Sequence, residues 1–141
     1  MPYDERDSVA EAYASTAKNT VSGPFLIVKL YERLMLDIET ARAQMDRDIA
    51  ATHDALIHAQ RIVRVLRTSL QPEMFVGGAQ LLECYEHLEN ALIAANMNKD
   101  IEPLDVCVAI VVPLLEAWTE ATRRYIADNA KESSGVAFAM A

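Results

Sequence analysis

Apolar residues return along this chain at alternating steps of three and four, the spacing that lines one side of an α-helix. The first sustained stripe is Ile27, Tyr31, Leu34, Ile38, Ala41 and Met45. Ser22-Gly23-Pro24 precedes it with a cap-type hydroxyl and a proline suited to a first helical turn, so the pattern predicts a helix over 24–48. A second stripe, Leu56, Ala59, Val63, Leu66 and Leu70, follows the Thr52 hydroxyl and stops before Pro72, because a proline drives its predecessor out of the α region. It predicts a helix over 52–70. Residues 71–78 hold Pro72 and the pair Gly77-Gly78 and read as the longest loop of the folded body. Leu81, Tyr85, Leu88, Leu92 and Ala95 mark a third helix, and residues 96–100 give a short polar link. The fourth opens near Pro103 and carries Leu104, Val108, Val111, Leu115, Trp118, Thr122 and Tyr125 to an end near Asp128, ahead of Ser133-Ser134-Gly135.

Four amphipathic helices with short links predict an all-α fold, an antiparallel up-down four-helix bundle whose stripes interdigitate at a small crossing angle. Residues 1–20 are polar and without sustained periodicity, with Tyr13 as their one apolar anchor of note, and read as a mobile arm. The bundle occupies 21–128 and a frayed tail 129–141.

The fourth helix carries more apolar surface than one bundle position needs. A second stripe, Cys107, Ile110, Leu114, Ala117 and Ala121, makes it apolar nearly all round from 104 to 118. Two readings cover that face: the helix is the most central element or a dimer seam, or it lines a groove that receives a partner helix. Pro113 removes a backbone donor inside this helix and should kink it, either as a tolerated bend or as one that shapes the groove. On the second helix Arg61, Arg64 and Arg67 share a face, either solvated or set for acidic groups of a partner.

Charge and composition narrow the function. Thirteen Lys and Arg against 21 Asp and Glu give a net charge of −8, which disfavours nucleic acid or an anionic membrane as partner. An apolar content of 52% with only 6% aromatic residues suits a helical bundle better than a barrel or sandwich. The longest uncharged run, residues 106–115, is about half the ~20 residues that span a bilayer, so no membrane insertion is expected. No export signal opens the chain, and Cys84 and Cys107 read as reduced thiols in a cytoplasmic protein. No metal or other cofactor is expected: a di-iron bundle needs Glu-x-x-His, whereas Glu83 and His87 are four apart, and Cys84 with His87 supplies only two ligands. His58 sits mid-helix without the neighbouring lysine or glycine of a phosphotransfer site, and no nucleophile elbow or phosphate loop occurs, so an enzyme is not expected.

Ala12-Tyr13, Val21-Ser22-Gly23-Pro24, Leu26-Ile27-Val28-Lys29-Leu30-Tyr31, Ala59-Gln60-Arg61-Ile62-Val63 and Leu66-Arg67-Thr68-Ser69-Leu70 follow one another in order. Gly77-Gly78, Leu81-Leu82, Tyr85, Leu92, Ala95-Asn96 and Leu115-Glu116-Ala117-Trp118 complete the series. In that order and spacing, from Tyr13 to Tyr125, the chain resembles the flagellin-specific export chaperones, the FliS family. It departs from them at Glu32-Arg33, where Asp-Gly is common, and at Gly23, which separates Ser22 from Pro24. The resemblance implies a cytoplasmic bacterial chaperone that binds the C-terminal segment of flagellin, prevents early polymerisation and delivers it to the flagellar export gate. It also implies an N-terminal arm, anchored by Tyr13, that competes with flagellin for the groove.

Leu26, Leu30, Tyr31, Ile62, Leu82, Ile93, Ile110 and Leu114 are the expected groove residues. The alternative is a structural or regulatory bundle that homodimerises through its second apolar face and has no client. A co-chaperone or regulator stays open as a further partner.

Overall fold

The computed structural model describes residues 23–74 and 76–140, with side chains for 24–73 and 76–130. Among the described residues four α-helices follow in order: α1 Gly23–Gln44, α2 Ile49–Ser69, α3 Gly78–Asn98 and α4 Glu102–Met140, with a 3₁₀ turn at Pro72–Met74 between α2 and α3. Both α1 and α3 pack against α2 and α4, which closes a four-helix bundle. Its antiparallel sense is fixed by side chains that meet end to start: Asn96 near the end of α3 bonds His53 near the start of α2, and Arg42 near the end of α1 pairs with Asp105 near the start of α4.

The predicted stripes form the core. Tyr31, Leu34, Ile38 and Ala41 of α1, Leu56, Ala59 and Val63 of α2, and Leu88, Leu92 and Ala95 of α3 are all buried in one cluster. Each large side chain so placed contributes about 1.5–3 kcal/mol by leaving water. A polar contact crosses the centre: the hydroxyls of Tyr31 on α1 and Tyr85 on α3 lie 2.6 Å apart, joining opposite corners of the bundle.

Several boundaries differ from expectation. Helix α1 ends at Gln44, and α2 begins seven residues before Leu56 rather than at Thr52. The N-cap is Asp48, whose carboxylate accepts from the Ala51 N–H at 3.0 Å. Asp caps at least as well as Thr does, so the helix can start one turn earlier. Thr52 is instead buried, its hydroxyl donating to the Asp48 carbonyl at 2.9 Å. The cap expected at Ser22 lies outside the described residues, as do residues 1–20 and Tyr13. Helix α4 passes the expected end near Asp128, and its backbone stays helical through 129–140, where a frayed tail was expected. A single glycine, Gly135, costs a helix about 1 kcal/mol and does not by itself stop it.

The two glycines before α3 do different work. Gly77 caps the helix at φ 91°, a left-handed angle that side chains resist. Gly78 lies against the 3₁₀ turn so closely that an added Cβ would sit 2.6 Å from the Pro72 Cα.

Candidate functional site

Three cross-helix ion pairs fix which flank of each helix faces which neighbour. On α1, Asp37 meets His58 of α2, with Oδ2 and Nδ1 2.5 Å apart. On α3, Glu89 meets Arg67 of α2 at 2.6 Å and Arg64 at 3.4 Å. On α4, Asp105 meets Arg42 of α1 at 2.6 Å. Residues separated from these by four, seven or eleven positions share their flank.

That register distributes the eight expected groove residues over separate places. Leu26 and Leu30 lie eleven and seven before Asp37, on the flank of α1 toward α2, and Ile62 lies one turn after His58 on the facing flank. Leu82 and Ile93 flank Glu89 at seven and four positions, on the side of α3 toward α2. Ile110 and Leu114 lie on the flank of α4 opposite Asp105, turned toward α3, and are partly buried against the core. Tyr31 and Ile62 have essentially no accessible area, and Leu30 is buried with them. Stripe periodicity names the apolar residues but not their depth, and all three are members of the core cluster. The remaining five are partly exposed, Leu26 on α1, Leu82 and Ile93 on α3, and Ile110 and Leu114 on α4.

Helix α4 does present a continuous apolar strip, on its outer pole. Val106 is 50% exposed, and Ala109, Pro113 and Ala117 are exposed at steps of three and four. Ile110 and Leu114 border this strip, and no charged residue occurs from 106 to 115. The two sequence stripes of α4 are both partly used inside, since Leu104 and Val111 of one and Cys107 of the other are buried together. The outward strip is rotated past both of them. Its members Val106, Ala109 and Pro113 were not singled out as site residues; the uncharged run through 106–115 was the signal that located them.

The arginine row of α2 is engaged within the chain. Arg64 and Arg67 embrace Glu89, whose side chain is 11% exposed, so these two charges neutralise a shielded carboxylate and are not held for a partner. Beside the Asp37–His58 contact, Arg33 approaches Asp37 at 3.4 Å, and Thr40 and Asp54 help to line a cleft of about 400 Å³ between α1 and α2. Burial raises the Asp37 carboxyl above its usual 3.8, while the hydrogen bond and charge of His58 and the charge of Arg33 pull it back. The pair therefore ties α1 to α2 across a shielded seam.

Both cysteines are free. Burial pushes the Cys107 thiol from 9.0 up to about 12, whereas Cys84 is partly exposed on α3. Among the described residues no three His, Cys, Asp or Glu side chains are grouped to hold a metal, and no helix is long and apolar enough to cross a membrane. On α3, Glu83, Glu86, His87 and Asn90 line a shallow polar depression that lacks the apolar wall of an enclosed ligand site.

Comparison with known proteins gives one family: the model described as Flagellar protein FliS matches residues 6–125. No curated protein matches the chain.

Proposed function

Because the chain belongs to the FliS family of flagellar proteins, a family of flagellar export chaperones, we propose that it holds the C-terminal segment of flagellin in the cytoplasm and delivers it to the export gate. The observation that supports this reading is the apolar outer strip of α4 formed by Val106, Ala109, Pro113 and Ala117. A helix that already buries Leu104, Cys107 and Val111 on its inner side has no folding reason to carry a second apolar face. An amphipathic client helix lying along it removes that face from water.

The work needs no catalytic group. A bound client cannot polymerise, and the free concentration of assembly-competent flagellin falls by mass action. Export then requires the contact to be reversible, which an interface one helix wide permits.

The test is titration of the purified flagellin C-terminal segment into the native protein and into Val106→Glu. We expect one-to-one binding with a negative heat-capacity change for the native chain. The variant should bind at least tenfold more weakly, about 1.4 kcal/mol, with its melting temperature within a few degrees of native. Equal binding by both proteins refutes the α4 strip as the client surface. A native chain that ignores the segment and stays dimeric on dilution would return the strip to a homodimer seam.

A further inference from the structure

Pro113 has no N–H, so the carbonyl of Ala109, one turn earlier in α4, lacks the donor that every interior helix carbonyl otherwise receives. A helix carbonyl points along the axis toward the residue four ahead. Ala109 and Pro113 are both exposed, so this carbonyl opens on the outer strip, between Val106 and Ala117. In the free protein water can hydrate it, which is why a proline is tolerated on this side of the helix and would not be on the core side.

Covering the strip with a client removes that water. An acceptor buried without a partner is penalised, whereas one given a donor in the complex gains a bond where the dielectric is low. The surrounding residues set the donor's chemistry. An ammonium or guanidinium would lose its own hydration among residues 106 to 115, which carry no charge, and would be drawn past Pro113 to the exposed Glu116, so the group that fits the carbonyl itself is a neutral amide or hydroxyl.

We infer that the Ala109 carbonyl, freed by Pro113, is a specificity point of the α4 surface that takes a hydrogen bond from a neutral amide or hydroxyl side chain in the apolar face of the client helix. This rests on the functional reading above and adds to it a selection rule. An apolar helix of the right shape but without a polar donor at the crossing point binds less well than one that carries it.

The experiment uses the full chain and the flagellin C-terminal segment. In a three-dimensional HNCO spectrum the Ala109 carbonyl is read through the amide of Ile110. On binding, its ¹³C resonance should move downfield, as one fixed donor in a low-dielectric site replaces exchanging water. Pro113→Ala restores the helix N–H, closes the carbonyl from within and leaves the client's donor without its acceptor. This variant should bind about tenfold more weakly, while its helicity and melting temperature stay equal or rise. A carbonyl resonance that stays in place while the methyls of Ile110 and Leu114 shift overturns the inference, as does a Pro113→Ala variant that binds as well as native. Failure of the native chain to bind the segment at all overturns the functional reading, and this inference with it. Binding with a silent carbonyl overturns the inference alone.

Discussion

Replacing His58 by Leu tests how the α1–α2 seam is held. The side chain of Asp37 is 5% exposed and its Oδ2 lies 2.5 Å from His58 Nδ1. A hydrogen bond involving a charged group is worth about 1.5–3 kcal/mol, and the leucine returns somewhat less than 1 kcal/mol of apolar contact. The net cost at pH 7 is about 2 kcal/mol, which for a chain of this length lowers the melting temperature by roughly 7 °C. The cost depends on pH with a definite sign. A carboxyl whose pKa in the folded state lies above its unfolded value takes up protons on folding, so it favours the fold at low pH and loses that advantage as pH rises through the raised value. His58 holds the rise of Asp37 down through its hydrogen bond and its charge. Without it the Asp37 pKa climbs further above 3.8, and the deficit of the variant grows from pH 4 to pH 7. Thermal melts across that range, with a carboxyl ¹³C titration of Asp37 in both proteins, measure the two effects. A deficit that is the same at every pH, or an Asp37 that titrates below 3.8 in the native protein, refutes the account.

Two further outcomes follow from the geometry. Gly78→Ala places its Cβ 2.6 Å from the Pro72 Cα and 2.7 Å from the Pro72 carbonyl carbon, contacts that no side-chain rotation relieves. It should lose about 2–3 kcal/mol by overpacking in urea unfolding; Gly77→Ala, which meets open space and only backbone strain at φ 91°, should lose about 1–2 kcal/mol. Equal effects would show that the close approach to Pro72 carries no cost. A thiol reagent at pH 8 should modify Cys84 in the native protein and reach Cys107 only on unfolding, since burial holds that thiol near pKa 12; two equally fast thiols would place Cys107 at the surface.

The number of helices, their order and most of the core were legible in the apolar periodicity, because a stripe such as Leu34, Ile38 and Ala41 has one way to be buried. Helix ends were less so. Asp48 and Thr52 are both competent caps four residues apart, and nothing local in the sequence ranks them. The candidate site was legible only as a region. Periodicity gives the angle of a side chain about its own helix, but the identity of the neighbour across each seam depends on pairs such as Glu89 with Arg67 or Asp105 with Arg42, residues far apart along the chain. Leu26, Leu82 and Ile110 were therefore legible as apolar positions, but not the seam that each one borders. On α4, where apolar residues occur nearly all round, the angle itself was ambiguous, and the bundle settled it by burying members of both stripes.

The order in which these seams can close follows from which helices are neighbours. Three of the four contacts, α1 on α2, α2 on α3 and α3 on α4, join elements adjacent in sequence, and only α1 on α4 spans the whole bundle. Such a topology has low contact order and needs little loop closure before contacts form, the condition for folding in microseconds to milliseconds. During synthesis at about 5–20 residues per second, each hairpin can therefore close before the next helix is made. The strip from Val106 to Ala117 belongs to α4, which follows the other three helices along the chain, so it emerges when its inner face already has α3 to dock on. A nascent copy therefore acquires its outward strip only once the platform beneath is complete.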